Sequence, residues 1–308
     1  MRISEIPTTS TYSDLASVQR VQKLPRCTLK WRQGQLLVSL APCDKHPHLP
    51  SLKSEKCLVE CLKHSPVRLI RMVPELGEES LKFWADACEQ ANKAVFIGIP
   101  CTDKLPSKCR PRSWWLKRLI EWSVTVSLLL ALSPLILGLV CLMRFQSSEP
   151  IFCWQWCIGE RGKLFRLLKF RPKLVKTQTL HRQLIGNQKS LQKREDELLI
   201  TPLERLIQKC SLDEMPQLFN VLRGDMSLVG PRPYTLNDAI RISPEGRQQL
   251  NALPGIIGAK QEEVFSNLLD LDAANHCNLE YLRSWSLWQD LKILLLTIPK
   301  VISGFGSY

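Results

Sequence analysis

The stretch that decides the fold is Trp114-Trp115-Leu116-Lys117-Arg118-Leu119-Ile120-Glu121, which is followed by 22 residues, 122–143, without a charge. Because a helix rises about 1.5 Å per residue, this uncharged segment measures about 33 Å, enough to cross a bilayer core of about 30 Å. Tryptophans and a Lys-Arg pair at its start are typical of anchors at a membrane interface. The sequence therefore predicts a membrane-embedded helix near the middle of the chain.

A proline interrupts this segment, and both of its flanks are basic. Ser133 and Pro134 lie in its middle, where proline removes a helical hydrogen bond. Residues 161–194 hold eleven Lys and Arg but no Asp or Glu, and six basic residues precede the segment: Lys104, Lys108, Arg110, Arg112, Lys117 and Arg118. Because basic flanks stay on the cytoplasmic side, we predict a re-entrant helix–break–helix hairpin over residues 113–147, broken at Ser133 and Pro134. A straight span and a buried soluble helix are the alternatives.

The composition fits a folded protein of about two domains. The chain has 308 residues, of which 44% are hydrophobic and 23% charged, which excludes disorder, collagen-like repetition and a small disulfide scaffold. A mean hydropathy of −0.09 excludes a polytopic membrane protein. The net charge of +13 predicts an anionic partner: nucleic acid, an anionic membrane face or a phosphate-bearing substrate.

Residues 1–112 are predicted to form a small α/β domain behind a disordered N-terminal tail, residues 1–25. Strand-like and helix-like patterns alternate in the order strand 35–40, helix 55–62, strand 67–73, helix 79–91 and strand 94–99. Strands separated by helices predict a βαβαβ unit with a parallel sheet. This domain carries no phosphate loop, nucleophile elbow or acid pair, so the sequence assigns it no function.

The C-terminal end predicts an amphipathic helix over residues 281–302. Apolar residues recur there at helical spacing: Trp285, Trp288, Leu291, Leu295 and Ile298. A helix lying in the membrane interface and a core helix of the same domain both fit this pattern.

The residues that suggest chemistry lie in the runs Ser211-Leu212-Asp213-Glu214-Met215-Pro216 and Gly230-Pro231-Arg232-Pro233. A capping box of Ser211 and Glu214, opening a helix that ends at Gly224, is the structural explanation of the first run. It does not account for Asp213 beside Glu214. Nor does it account for Arg232, which two prolines hold in a stiff arrangement suited to bidentate phosphate binding. Upstream, residues 159–171 predict a turn and a basic strand, which also suits contact with anionic lipid headgroups.

Taken together, these motifs resemble the bacterial sugar transferase family, the monotopic phosphoglycosyl transferases. The resemblance covers residues from about 113 to 308. It rests on the Lys-Arg pair and the Ser-Pro break of the hydrophobic segment, on Lys169-Phe170-Arg171, and on runs 211–222, 226–233, 253–258, 279–282 and 288–293. The family resemblance implies transfer of a sugar 1-phosphate from a nucleotide diphosphosugar to polyprenyl (undecaprenyl) phosphate. This magnesium-dependent step would initiate exopolysaccharide or envelope glycan synthesis.

The resemblance also implies roles for individual residues. Asp213 is the expected nucleophile, which takes the phosphosugar covalently, and Glu214 is expected to assist as metal ligand or base. Asp213 and Glu214 are thus the candidate Mg²⁺ ligands. Lys169 and Arg232 are assigned to phosphate binding, while Lys209 and Asp290 are further site candidates, the latter matching the family without an assigned role.

The same resemblance implies partners and a location. The expected partners are a nucleotide diphosphosugar, polyprenyl phosphate and an anionic lipid bilayer, with a homo-oligomer or polysaccharide assembly proteins as further options. The expected location is the bacterial inner membrane, with both domains on its cytoplasmic face. The predicted architecture is an α/β domain over 1–112, the re-entrant hairpin over 113–147, and a mainly α, α+β catalytic domain over 148–308.

Three places depart from the family's usual pattern. Gln208 stands where an arginine is usual, with Lys209 as the residue that would compensate; Pro172-Lys173 replaces Thr-Met; and residues 254–261 lack the usual Thr and Trp. These departures motivate an alternative function, that of a catalytically weakened, membrane-docked adapter of a polysaccharide assembly complex. A nucleic-acid-binding function is disfavoured, because the basic residues cluster beside a hydrophobic segment and no motif that reads DNA or RNA occurs.

Overall fold

A computed structural model describes residues 27–40, 55–100, 111–146, 150–171, 207, 212–243, 246–258 and 271–303. Three of the sequence-based predictions fall outside these residues: the N-terminal tail, the compensating role of Lys209 beside Gln208, and the part of the altered loop that follows residue 258. They stay predictions.

The N-terminal domain is a four-stranded sheet with two helices. Its elements are β1 (Cys27–Arg32), β2 (Gln35–Leu40), α1 (Glu55–His64), β3 (Leu69–Met72), α2 (Glu78–Gln90) and β4 (Ala94–Ile97), with a short 3-10 turn over Pro74–Leu76. The strand order is β1-β2-β3-β4, in which β2, β3 and β4 are parallel and β1 forms an antiparallel hairpin with β2. The alternation of strands and helices predicted from residue 35 onward is therefore present.

Strand β1 was not predicted. It joins β2 through Gln33 and Gly34, whose φ angles of 49° and 76° are both positive, as a tight two-residue hairpin turn requires. Glutamine at the first turn position is a much weaker hairpin signal than the usual asparagine or aspartate, which explains the omission.

The core of the N-terminal domain continues into the rest of the chain. Buried side chains of its sheet and helices form one hydrophobic cluster with residues of the second half, among them Ile158, Leu164 and Leu236. A polar contact reinforces this packing, because the Asp86 carboxylate of α2 accepts hydrogen bonds from Trp156 Nε1 (2.8 Å) and Arg166 Nη2 (3.2 Å). Glu89, one helical turn further along, also pairs with Arg166. The N-terminal domain is thus packed onto the second half rather than tethered to it.

The hydrophobic segment forms one long helix, α3 (Pro111–Gln146), which carries Pro134 in its interior. It is the one helix within the described residues that is long and apolar enough to cross a membrane, and only 11% of its most apolar window is buried. A core helix of a soluble protein is mostly buried, so this exposure excludes the buried-helix alternative. The helix is continuous through Ser133 and Pro134, where the Ser133 hydroxyl donates to the Leu130 carbonyl at 2.8 Å. The re-entrant path stays a prediction.

The second half of the chain combines two small sheets with short helices. β5 (Phe152–Ile158) pairs with β6 (Leu164–Phe170) and with β8 (Tyr234–Thr235), and β7 (Ser227–Val229) runs parallel to β9 (Gly255–Ile257). The helices are α4 (Gln217–Arg223), α5 (Leu236–Arg241), α6 (Leu271–Arg283) and α7 (Leu287–Ser303), with 3-10 turns at Glu160–Gly162, Leu212–Glu214 and Gly246–Asn251. The basic strand predicted within residues 159–171 is β6.

Two glycines allow the segment before Arg232 to cross the segment before β9. A Cβ atom at Gly230 would lie 2.8 Å from the Leu253 carbonyl oxygen, and a Cβ atom at Gly255 would collide with the backbone of Gly230. The Gly255 amide donates to the Pro231 carbonyl at 2.8 Å, which fixes the crossing. This close approach explains why the Gly-Pro-Arg-Pro and Pro-Gly-Ile runs both need glycine.

A buried network of charges joins the start of α3 to the rest of the second half. Lys117 Nζ lies 2.8 Å from Asp290 Oδ2 and 3.6 Å from Glu121 Oε1, and it donates to the Val229 carbonyl at 3.1 Å. Asp290 also accepts hydrogen bonds from the Tyr281 hydroxyl and from Trp285 Nε1. We call these residues the α3 anchor, together with Ser227 and the Leu228 amide, which both donate to Glu121. The anchor binds α3 to β7 and α7.

The predicted C-terminal amphipathic helix is divided in two. A break at Ser284–Ser286 separates α6 from α7, and Trp285 is buried there, 5% exposed, within the anchor. Trp288, Leu291 and Leu295 are exposed on α7, whereas Ile293 and Leu294 pack against the core. The core interpretation therefore holds for one side of the helix. The other side leaves apolar side chains uncovered, and its place in a membrane interface stays a prediction.

We expect Lys117→Met to destabilise the protein by about 3–5 kcal/mol, because removal of one partner leaves buried carboxylates without their counter-charge. The Lys117→Met/Asp290→Leu double variant should recover part of this loss. Lys292→Met, on the exposed side of α7, is the matched control and should change stability by less than about 0.5 kcal/mol. Denaturant unfolding of the detergent-solubilised protein measures all three, and equal effects of the two lysine substitutions would contradict the role of the anchor.

Candidate active site

Asp213 and Glu214 lie on a 3-10 turn, Leu212–Glu214, that precedes α4 and packs against β6. Helix α4 begins at Gln217 with Pro216 at its N-cap, and no side chain caps it. A capping box of Ser211 and Glu214 therefore does not open this helix, because the helix begins three residues after Glu214; Ser211 itself lies outside the described residues. Gly224 ends α4 in a left-handed conformation, φ 86°, as predicted.

The surroundings of Asp213 hold its carboxyl close to the neutral range. Partial burial and the neighbouring Glu214 carboxylate raise the pKa of Asp213 to about 6, and the Lys169 ammonium opposes this rise. Lys169 comes from β6, which the 3-10 turn packs against, so the structure brings together the predicted nucleophile, its acidic neighbour and one predicted phosphate-binding cation. A carboxyl with this pKa is mostly ionised at pH 7 and is less strongly solvated than a surface carboxylate.

Two further residues that sequence reasoning did not single out lie at this site. Cys153 is directly opposite Lys169 in the β5–β6 pairing. Burial raises the pKa of the Cys153 thiol, and the charges of Lys169, Asp213 and Arg171 also act on it. Arg171, the last residue of the Lys-Phe-Arg motif, is therefore a second cation, itself buried, whose charge acts on Cys153. The motif itself was the signal that could have identified it.

Arg232, the second predicted phosphate-binding residue, is exposed. It lies in the short loop that joins the glycine crossing to β8. Its charge and that of Lys169 both act on the pKa of the buried thiol Cys157, in the middle strand of the same sheet. The two predicted cations therefore belong to one region, reached from β6 and from the loop before β8. Lys209 lies outside the described residues.

Asp290, a further site candidate, lies in the α3 anchor. Its side chain is buried and carries the ion pair with Lys117, which is a structural role that the sequence could not assign, and its part in the site stays a prediction. Glu121 belongs to the same network and was missed. The i, i+4 spacing of Lys117 and Glu121 at the start of an apolar helix was the available signal.

The acidic pair fits part of a magnesium site. Within the described residues no group of three His, Cys, Asp or Glu side chains is placed to hold a metal ion. Mg²⁺ is usually held by one or two carboxylates together with waters and substrate phosphates, so a full protein cage is not required. Repulsion from Glu214 raises the pKa of Asp213, and a cation bound between the two carboxylates would relieve that repulsion. Asp213 and Glu214 are thus chemically suited to hold Mg²⁺ with a phosphorylated ligand.

These features define a protein with a helix long and apolar enough to cross a membrane and with a partly buried acidic pair beside a basic side chain. The family model described as "Bacterial sugar transferase" matches residues 112–304. The chain therefore belongs to the bacterial sugar transferase family, and the resemblance noted in its sequence is confirmed. Residues 1–111 lie outside the match.

Sequence identity to individual proteins also supports this membership. The chain is 35% identical over 194 residues to the galactosyl transferase CpsE of Streptococcus agalactiae, covering 62% of this chain and 43% of that protein. It is 34% identical over 203 residues to the undecaprenyl-phosphate galactose phosphotransferase of Salmonella typhimurium, covering 64% and 42%. It is 37% identical over 191 residues to the uncharacterized sugar transferase EpsL of Bacillus subtilis, covering 62% and 89%. The match spans less than half the length of the first two relatives.

We expect Asp213→Asn to stabilise the folded protein above about pH 6. The raised pKa of Asp213 means that the native state binds a proton more tightly than the unfolded chain does, so this group lowers stability as the pH rises from about 4 to about 6. An amide avoids that loss. Thermal unfolding of both proteins between pH 4.5 and pH 8 should show a gap in favour of the variant that closes at low pH.

The control for this experiment is Glu79→Gln, a carboxylate exposed on α2. Its melting temperature should follow that of the wild type across the same pH range. A gap for Asp213→Asn that is constant with pH, or that favours the wild type at pH 8, would contradict the buried and repelled state of Asp213.

Proposed function

We propose that this protein transfers a sugar 1-phosphate from a nucleotide diphosphosugar to undecaprenyl phosphate, through a covalent phosphosugar on Asp213, and so initiates exopolysaccharide or envelope glycan synthesis. The observation that carries this proposal is the placement of Asp213 beside Glu214 and Lys169, on a turn that packs against a strand of the core anchored to α3. Membership in the family and the names of relatives that act on undecaprenyl phosphate support the choice of acceptor.

In the first half-reaction, a carboxylate oxygen of Asp213 attacks the phosphorus that bears the sugar. A new bond forms between this oxygen and the phosphorus, the bond from the phosphorus to the bridging oxygen breaks, and a nucleoside monophosphate leaves with the electron pair. In the second, a phosphate oxygen of undecaprenyl phosphate attacks the same phosphorus, and the bond to Asp213 breaks and restores the carboxylate. Each half-reaction needs only one of the two substrates in place, which suits a soluble donor and a lipid acceptor.

The basic residues reduce the repulsion between the carboxylate and the anionic donor. Lys169 stabilises the ionised form of Asp213 and is placed to bind a phosphate oxygen, and Arg232 offers a second, bidentate contact from its proline-locked loop. Mg²⁺, when bound by Asp213 and Glu214, would neutralise phosphate charge. We assign it to this site because two adjacent carboxylates form the partial oxygen donor set that it prefers.

The membrane is the second partner. Helix α3 and the exposed apolar side chains of α7 are suited to a bilayer, and the basic flanks to anionic lipid on its cytoplasmic face. We therefore place the protein at the bacterial inner membrane, with both domains in the cytoplasm and Asp213 near the lipid surface. We assign to residues 1–112 the contact with assembly partners or with a second copy of the chain.

We expect a panel of nucleotide diphosphosugars to yield one that leaves a phosphosugar adduct on Asp213 when the acceptor is withheld, with release of one nucleoside monophosphate per adduct. Peptide mass spectrometry locates the adduct. Asp213→Asn should give none, and Glu79→Gln should label like the wild type. If no donor labels the protein, although a related enzyme labels under the same conditions, the adapter function is the better description.

We also expect the rate of adduct formation to fall as the pH drops below about 6, because the attacking group is the ionised carboxylate and its pKa is about 6. Lys169→Gln removes the charge that lowers this pKa, so the acid limb of the profile should move to higher pH. Lys163→Gln, an exposed lysine in the same basic segment, serves as control. An acid limb that does not move in Lys169→Gln would contradict the contact between the two groups.

A further inference from the structure

We propose that Asn220 is a positioning residue that holds the strand of Lys169 in register with Asp213. The proposal rests on the function proposed above, because it concerns the same site. Asn220 lies on α4 and is 1% exposed. None of the roles assigned so far uses it.

The evidence is a pair of hydrogen bonds from one side-chain amide. Asn220 Nδ2 donates to the Arg166 carbonyl at 2.7 Å, and Asn220 Oδ1 accepts from the Leu168 amide at 3.1 Å. Strand β6 is at the edge of its sheet and pairs with β5 on one side only. The Arg166 carbonyl and the Leu168 amide therefore lie on the side of β6 away from β5. A backbone N–H or C=O group that is buried without a partner is costly, and an open strand edge leaves the register of the strand less fixed. The Asn220 amide therefore takes the place of a neighbouring strand immediately before Lys169.

A primary amide is the side chain that can do this. Asn and Gln carry a donor and an acceptor in one plane, whereas a carboxylate offers acceptors only. An aspartate at position 220 would direct an oxygen at the Arg166 carbonyl and lose that bond.

Helix α4, which carries Asn220, is itself held in place by other contacts. Trp122 Nε1 of α3 donates to the Val221 carbonyl of α4 at 3.3 Å, and the backbone carbonyl of Asn220 accepts from the Asp225 amide at 3.0 Å. The turn that carries Asp213 enters α4 through Pro216. Asn220 thus links β6, which carries Lys169, to α4, which follows Asp213 and Glu214. Through α4, it also links β6 to the anchored end of α3.

Hydrogen exchange tests the contact without any substrate. In Asn220→Ala and Asn220→Asp, the backbone amides of the peptide covering residues 164–171 should exchange at least about tenfold faster than in the wild type, since a tenfold change corresponds to the loss of about one hydrogen bond. Asn278→Ala is the matched control, because it removes a part-buried amide that donates to Tyr234 and Gln249. Unchanged exchange in both Asn220 variants would overturn the proposal, and this result does not depend on the proposed reaction.

The rate of adduct formation separates positioning from simple loss of stability. Both Asn220 variants should form the adduct about 10- to 100-fold more slowly, as expected for a misplaced group. In the Lys169→Gln/Asn220→Ala double variant the two losses of rate should not multiply, because both act through the same lysine. Fully multiplicative losses, or slower labelling that follows the melting temperature and equals that of Asn278→Ala, would overturn the proposal. If the wild type accepts no donor, the proposed function fails while hydrogen exchange still decides the role of Asn220.

Discussion

The buried contact between Lys117 and Asp290 is the constraint on which the rest of the second half depends. Lysine and aspartate are almost never buried unless they are paired, so each of these two charges can remain buried where α3 meets the core only with the other as its partner. Lys117 also lies 5.0 Å from the Trp114 ring centroid and 5.7 Å from that of Trp285, which surrounds its charge with aromatic faces. Through Glu121 the same network reaches β7, from which the chain continues to Arg232. One interaction thus relates the long apolar helix α3 to the loop that carries Arg232.

The site combines two opposing electrostatic demands. The proposed reaction needs its carboxylates close to a cation and to phosphates, yet two adjacent carboxylates in a partly buried turn repel each other. The pKa of Asp213, about 6, expresses this balance: burial and Glu214 favour the protonated form, and Lys169 restores the ionised one. The N-terminal domain takes part indirectly, because Asp86 and Glu89 hold Arg166, three residues before Lys169. This contact makes residues 27–100 part of the support of strand β6.

Sequence reasoning predicted the parts of this protein that follow from local patterns. The uncharged segment before Arg144, the strands and helices of the N-terminal domain from β2 onward and the basic strand β6 are all visible as periodicity or charge. The motif at Asp213 was specific enough to identify the family. Contacts between distant segments could not be predicted this way, since nothing local indicates that Lys117 meets a residue 173 positions later or that Asn220 completes the edge of β6. Asp290 illustrates the difference, because its motif marked it as a site candidate without a role, whereas only the structure shows its ion pair with Lys117.

The central claim, that a phosphosugar is carried on the protein before the lipid acceptor is needed, is tested most directly by isotope exchange. Labelled nucleoside monophosphate and unlabelled nucleotide diphosphosugar are incubated with the protein in lipid nanodiscs free of polyprenyl phosphate, and label in the nucleotide sugar is followed with time. The covalent mechanism predicts exchange without acceptor, because the first half-reaction is reversible by itself. Exchange that requires undecaprenyl phosphate would instead show direct transfer between the two substrates and would contradict the role given to Asp213.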